Sequence, residues 1–242
     1  MIRQLAMFAA CPAMLAMACT SQATILGFGQ LGGNNTTIPV NFGSNATADA
    51  NGLVVSNGTT PDITITWDIN GDRNSGSGNA WDIHTSGNFS VLEDANVGGG
   101  AWDNEGNVPR VAQLDFGLHS IGFAAAPGAQ LVLNSFDFGH TAETAGDTEW
   151  SLVLTDSAST VVWSQTVTFT GGMTQTIAPN FTGLAGEDYI LAFERTSSTY
   201  PSDGRHGIDN LSFNQVPEPT ACVLAVLGGL TLMSCSRRKE IA

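Results

Sequence analysis

Oxygen-bearing side chains alternate along one stretch of the chain in a pattern that suits calcium. Asp68, Asn70 and Asp72 stand at every second position, and calcium takes about six to eight hard oxygen ligands. An EF-hand loop needs glycine at its sixth position and glutamate at its twelfth, whereas Arg73 and Asn79 stand there. Two interpretations therefore stay open: a calcium loop without the EF-hand pattern, or a hydrated, metal-free hairpin loop.

Tryptophans next to aspartates are a second set that could do chemistry. Exposed aromatic rings stack on sugar rings, and neighbouring carboxylates accept hydrogen bonds from sugar hydroxyls. The chain holds three such pairs: Trp67-Asp68, Trp81-Asp82 and Trp102-Asp103. We predict that Trp67 packs in the core, because it ends an alternating apolar run. Trp81 and Trp102 lie in Gly/Asn-rich surroundings and are the candidates for glycan contact, with packing as the alternative.

The sequence holds no pattern that identifies an enzyme. Its four histidines are His84, His119, His140 and His206, and they show no His-x-His or His-Glu-x-x-His spacing. No Gly-x-Ser-x-Gly elbow occurs. A pair of catalytic carboxylates is defined by its separation in space, which sequence does not report. We therefore predict a non-enzymatic protein, with a secreted polysaccharide hydrolase as the alternative.

Charge is distributed unevenly along the chain. The 242 residues carry 22 Asp and Glu against 8 Lys and Arg, a formal net charge of −14. Between residues 24 and 216, four arginines stand against twenty carboxylates, a net of −16, and there is no cysteine. Such an acidic body would repel phosphates, which excludes nucleic acid as a partner. Both ends are apolar and slightly basic and hold every cysteine, so they are interpreted as targeting segments.

The first 23 residues have the organisation of a secretory signal peptide. Arg3 supplies the positive charge, residues 5–18 form an apolar stretch, and Ser21-Gln22-Ala23 offers small residues for cleavage after Ala23. The apolar stretch is too short for a membrane span. A lipoprotein interpretation would use Cys19, but Ala16 stands where a large aliphatic residue is expected.

The last 27 residues combine a proline motif, an apolar run and a basic end. Val216, Pro217, Glu218 and Pro219 precede residues 221–233, which carry no charge. As a helix, this run spans about 20 Å, short of a bilayer core of about 30 Å. Arg237, Arg238 and Lys239 then form a stop that should stay in the cytoplasm.

These residues, in this order, resemble the PEP-CTERM sorting signal of envelope-rich bacteria. The resemblance implies export by the Sec machinery, brief retention in the inner membrane through a short transmembrane helix, and cleavage near Pro217–Pro219 by an exosortase. It further implies a place at the cell surface or in the extracellular matrix, often beside exopolysaccharide. A plain C-terminal membrane anchor would explain the apolar run and the basic stop, but not the Pro-Glu-Pro triplet.

The remaining 192 residues, 24–215, are predicted to form one all-β domain. Short runs alternate polar and apolar residues, and Gly/Asn/Asp clusters separate them. Two of these runs are residues 62–67 and 150–154, in which Trp150, Leu152 and Leu154 share a face. Three further sets are each predicted to lie on one side of a strand: Val161, Trp163, Val167 and Phe169; Tyr189, Leu191 and Phe193; and Leu211 and Phe213. Ten to twelve such runs favour an antiparallel, jelly-roll-like β-sandwich. Leu131 and Leu133 lie out of phase with Phe136 and Phe138, which indicates a bulge near Asn134-Ser135.

Three segments of this domain resemble galactose-binding-like and carbohydrate-binding-like domains. They are residues 111–116, 133–138 and 207–213, of which the last resembles the final Ile-Asp-Asn-Val strand of those domains. The resemblance implies a sandwich with weak glycan binding, and a structural Ca²⁺ held by Asp209.

Together these features predict an exported, exosortase-processed surface or matrix protein that binds glycan weakly, exopolysaccharide being the expected partner. The alternatives are the hydrolase and a purely structural matrix component bridged by calcium.

Overall fold

The structure of the protein is a computed structural model. It describes residues 23–28, 31, 38–46, 58–67, 90–93, 110–114, 118–140, 147–170, 174–198 and 206–217. The predicted signal helix, the apolar C-terminal helix and its basic stop lie outside these residues. Within the described part of the chain, no helix is long and apolar enough to cross a membrane.

The described elements are strands, and every pairing between them is antiparallel, which confirms the all-β prediction. The strands are β1 Thr24–Leu26, β2 Ile63–Trp67, β3 Ser90–Glu93, β4 Arg110–Leu114, β5 Leu118–Ala125, β6 Ala129–His140, β7 Asp147–Asp156, β8 Val161–Thr170, β9 Thr174–Ile177, β10 Phe181–Ala185, β11 Asp188–Ser198 and β12 His206–Pro217. One sheet runs β10-β6-β12-β4-β3, with β1 also on β12 and β9 also on β6. The second sheet runs β2-β5-β11-β7-β8.

The alternation seen in sequence decides which side of each strand is buried. Ile63, Ile65 and Trp67 of β2 are buried while Thr64 is exposed. The sets on β7, β11 and β12 behave as predicted and are fully or almost fully buried: Trp150, Leu152, Leu154, Tyr189, Leu191, Phe193, Leu211 and Phe213. Strand β8 departs from its prediction. Val167 and Phe169 are buried, but Val161 is 57% exposed, because an extra residue at Val162 shifts the register against β7.

Aromatic rings of the two sheets meet across one shared core. The ring centroids of Phe136 on β6 and Phe193 on β11 lie 5.6 Å apart. Phe138 on β6 and Trp150 on β7 lie 5.4 Å apart, in edge-to-face geometry. Edge-to-face pairs add about 0.5–1.5 kcal/mol each beyond the burial of their area. The two sheets therefore face each other around a continuous aromatic layer.

The predicted bulge near Asn134-Ser135 is confirmed. Phe213 of β12 pairs with Leu133, and the next residue back, Ser212, pairs with Ser135, so Asn134 is an extra residue on β6. This extra residue shifts the alternation of β6 by one, so that residues on both sides of the bulge turn their apolar side chains to the core. The fully buried residues are Leu131, Leu133, Phe136 and Phe138. A second extra residue on β12, between Asp209 and Ser212, restores the register.

The folded sheet extends past the predicted boundary at residue 215. Strand β12 continues to Pro217, with Val216 opposite Gln130. The end of the strand is anchored to the other sheet, because Asp62 N donates to Gln215 Oε1 at 2.8 Å and Gln215 Nε2 donates to Asp62 Oδ2 at 2.9 Å. Two residues of the predicted sorting motif thus belong to a paired strand.

Candidate functional site

Two carboxylates lie side by side on the outer side of the central strands β6 and β12. Asp137 stands between Phe136 and Phe138, whose rings are buried in the core, so its side chain points to the opposite side of the sheet. Asp209 follows the core residue Ile208 in the same way and pairs directly with Asp137. Residues directly opposite on an antiparallel pair bring their side chains together. The register therefore builds an acidic pair on the outer side.

Hydrogen bonds hold Asp137 in one position. Its Oδ1 accepts from Thr176 Oγ1 at 2.7 Å, and its Oδ2 accepts from Asn210 Nδ2 at 2.9 Å. The backbone N of Asn210 donates to Asp209 Oδ1 at 2.8 Å. Asn210 therefore links the two carboxylates, its side chain to one and its backbone to the other.

The bulge on β12 makes this link possible. Asn210 has a φ of +50°, a left-handed conformation that asparagine tolerates better than most residues because its short polar side chain bonds locally. That conformation turns the amide toward β6. Backbone strain at this residue is offset by the bonds to Asp137 and Asp209.

An amide cluster continues the site along the same strands. Asn134, the extra residue of β6, donates from Nδ2 to Ser212 Oγ and to Asn214 Oδ1, at 3.2 Å each. We call the combined surface the polar patch, defined by its carboxylate, amide and hydroxyl side chains: Asn134, Asp137, Thr176, Asp209, Asn210, Ser212 and Asn214.

The polar patch presents hydrogen-bonding groups that are fixed before a ligand arrives. Asp137, Asn210 and Asn214 are half-buried and Thr176 is exposed, whereas Asp209 is only 1% exposed. Carboxylates and amides in such positions accept and donate to sugar hydroxyls. Asp209 is buried and contributes to the patch by accepting from the backbone N of Asn210. Preorganised polar groups lower the ordering cost of binding.

The described residues do not assemble a complete metal site. They contain no group of three or more His, Cys, Asp or Glu side chains close enough to hold an ion. Asp209 and Asp137 offer two carboxylates, whereas calcium needs about six oxygens or more. Asp68, Asn70 and Asp72 lie outside the described residues, so calcium binding stays a prediction.

A buried histidine lies in the core rather than in a cleft. His206 is fully buried, and its Nε2 lies 2.9 Å from Thr148 Oγ1. Its ring packs 4.7 Å from that of Trp150 and 5.8 Å from that of Phe169. The ring therefore completes the aromatic layer, a role that its isolated position in the sequence did not reveal.

The structure brings one predicted site residue, Asp209, into the polar patch. Trp67 is 1% exposed and its Nε1 donates to Phe42 O at 2.8 Å, which confirms its assignment to the core. Trp81 and Trp102 lie outside the described residues. The sequence did not reveal Asp137, Asn210 and Thr176 as site residues. The available signal was that Phe-Asp-Phe and Ile-Asp-Asn each place a carboxylate beside core residues.

No protein-family model matches the chain, and no curated protein matches it. Among solved structures, a complex of TmCBM61 with β-1,4-galactotriose is 16% identical and covers 64% of this chain and 88% of that one, with a TM-score of 0.30. A CBM4 structure is 16% identical and covers 42% of this chain and 73% of that one, with a TM-score of 0.27.

A third carbohydrate-binding module, family 16 module-2, is 17% identical and covers 52% of this chain and 84% of that one, with a TM-score of 0.25. An arabinose-bound GH51 α-L-arabinofuranosidase is 11% identical with a TM-score of 0.32, and the matched region spans 22% of it. Because all these TM-scores lie below 0.5, the similarities neither establish the fold nor assign a function.

Proposed function

We propose that this protein is an exported, non-enzymatic surface or matrix protein whose jelly-roll-like sandwich binds glycan through the polar patch. The observation that carries the proposal is the fixed position of Asp137 between Thr176 and Asn210, at 2.7 and 2.9 Å. A hydrogen bond to a charged group contributes about 1.5–3 kcal/mol. A sugar hydroxyl donating to Asp137 would therefore add useful affinity at little ordering cost.

Retention on polysaccharide tests the glycan proposal. The full chain is run by affinity electrophoresis through gels that contain the producing strain's own exopolysaccharide, with and without EDTA. We expect Asp137→Asn to weaken retention about tenfold or more, since a neutral amide no longer offers a charged acceptor to a sugar hydroxyl. The matched control is Asp188→Asn, which removes one exposed carboxylate on the other sheet.

Four outcomes decide between the interpretations. Loss of retention in Asp137→Asn but not in Asp188→Asn supports the polar patch. Absence of retention with or without EDTA overturns glycan binding, and retention that EDTA abolishes in both variants favours a calcium-bridged matrix component. Release of reducing sugar from the polysaccharide would replace the proposal with the hydrolase.

The sorting proposal rests on the C-terminal residues and is tested separately. Deletion of residues 217–219 should leave an uncleaved precursor in the membrane fraction, detected by immunoblot. Because β12 includes Pro217, we expect the cleaved product to end after that residue, which mass spectrometry of the mature protein would check. Normal processing of the deletion variant would refute the motif assignment.

A further inference from the structure

The two edges of the five-stranded sheet differ in how their backbone groups are covered. At β2, Asn45 N donates to Ile63 O at 2.8 Å and Trp67 N donates to Val40 O at 2.9 Å. Between them, Ser44 Oγ accepts from Ile65 N and donates to Ile65 O, both at 2.8 Å. Every second residue of β2 is thus bonded by the segment 40–45, which closes this edge.

The opposite edge is open over several residues. Among the described strands, β8 pairs with β7 alone. Its sequence, VVWSQTVTFT, holds no charged residue and no proline, two of the usual devices that keep an edge from pairing. Ser164, Gln165 and Thr166 are exposed.

One side chain covers the far end of this edge. Gln175 Nε2 donates to Thr168 O at 3.1 Å, so that carbonyl points away from β7. Successive residues turn their backbone groups to alternate sides of a strand, and the N–H and C=O of Ser164 and Thr166 therefore point outward as well. The extra residue at Val162 ends this pattern near the start of β8. The open window is Ser164–Thr166.

We propose that this window pairs antiparallel with the same window of a second copy, with the two-fold axis at Gln165. Ser164 then lies opposite Thr166 of the second copy and exchanges two backbone hydrogen bonds with it. By symmetry, Thr166 makes the same two bonds with Ser164 of the second copy. Both residues carry hydroxyls on one side of the sheet, a favourable cross-strand pair. The two five-stranded sheets would become one continuous sheet.

A second copy fits this edge because the window is self-complementary about the two-fold axis and carries no charge. Residues 24–216 carry a net charge of −16, so two copies repel each other except where both surfaces are neutral. The ten residues of β8 are such a surface. Because repulsion is screened by salt, over about 8 Å at 0.15 M and about 3 Å at 1 M, pairing should strengthen as salt is added.

Disulfide capture tests the pairing and its register. In the full chain, Cys11, Cys19, Cys222 and Cys235 are replaced by serine, and Gln165→Cys is introduced. At the axis, Gln165 faces its own copy in a non-hydrogen-bonded pair with a Cα separation of about 4.5 Å, which a disulfide can bridge. We expect a covalent dimer after mild oxidation, and more of it at high salt, on non-reducing gels.

Matched variants make the result specific. Thr64→Cys, exposed on the covered edge strand β2, should remain monomeric. Chains with Ser164→Cys mixed with chains with Thr166→Cys should form mixed dimers. Thr166→Lys added to Gln165→Cys should abolish the cross-link, whereas Thr64→Lys should leave it unchanged. Circular dichroism checks that each variant is folded.

Equal cross-linking of Gln165→Cys and Thr64→Cys, or a cross-link that survives Thr166→Lys, would overturn the proposal. The polar patch lies on the other sheet, so these variants leave the glycan test unaffected, and either proposal can fail alone.

Discussion

Strands β2 and β8 form the two edges of one sheet, yet within the described part of the chain only β2 is closed by other residues of the protein. The segment 40–45 bonds to Ile63, Ile65 and Trp67 through backbone groups and one serine hydroxyl. Strand β8 has a single cover at Thr168. An edge strand is therefore protected by hydrogen bonds to every second residue, and hydrophobic alternation along the strand does not provide them.

The largest expected effect concerns the anchor of the covered edge. Trp67 is 1% exposed and meets the Phe28 ring at 5.5 Å in edge-to-face geometry. We expect Trp67→Ala to lower the free energy of unfolding by about 3–5 kcal/mol, because it leaves a cavity. Trp163→Ala, on the open edge and partly buried, should cost clearly less. Urea unfolding measures both, and equal losses would contradict the comparison.

The next effect concerns the serine that covers the middle of β2. Ser44→Ala leaves Ile65 N and Ile65 O without the hydroxyl that now bonds both at 2.8 Å. We expect a loss of about 1–3 kcal/mol in the free energy of unfolding. Ser164→Ala on the open edge serves as control and should change stability by less than about 0.5 kcal/mol. A Ser44→Ala variant as stable as this control would show that the cover is not needed.

A third edge, β10, is covered by a tyrosine. Tyr189 Oη accepts from Leu184 N at 2.7 Å. Burial raises the pKa of Tyr189 above its usual value of 10.0; the bond from Leu184 N lowers the pKa by less, and Glu187 and Asp156 raise it slightly further. The folded state therefore holds this proton more tightly than the unfolded state, so stability should fall as pH rises above about 10.

Tyr189→Phe should cost about 1 kcal/mol at neutral pH and should flatten that alkaline decline. Spectrophotometric titration of a Tyr200→Phe variant, in which Tyr189 is the single tyrosine left of the two in the chain, provides the second measurement. If Tyr189→Phe leaves the alkaline decline unchanged, the titration of another group is responsible for it.

The smallest change in stability is expected at the cover of β8. Gln175→Ala removes one exposed hydrogen bond to Thr168 O and should change the free energy of unfolding by less than about 0.5 kcal/mol. It lengthens the open window to Thr168, which permits a second register with Thr166 at the axis. Homodimer capture by Thr166→Cys should therefore increase in the Gln175→Ala background, and an unchanged yield would show that Gln175 does not limit the window.

Much of the fold could be predicted because it depends on neighbours along the chain. Alternation identifies the buried side of β2 and β7, since successive side chains of a strand point to opposite sides. The phase change between Leu133 and Phe136 located the bulge at Asn134 for the same reason. Val161 was predicted wrongly, because the extra residue at Val162 arises from pairing with β7.

The candidate site was only half predictable. Asp209 was singled out by resemblance, whereas Asp137 was missed although it lies directly opposite. The two residues meet because two extra residues, one on each strand, offset each other in the register. Local alternation located the extra residue on β6, but nothing local to β12 specifies the second one that offsets it.

The sequence by itself determined the all-β class, the acidic and cysteine-free body, the alternation of buried residues and the position of one bulge. These properties follow from composition and from the two-residue period of a strand. The tertiary structure decided which strands are neighbours, that Asp137 and Asn210 meet, that β12 includes Pro217, and that one sheet edge is closed while the other is open. Those features depend on hydrogen bonds between residues far apart in the chain, whose register is set by the whole sheet.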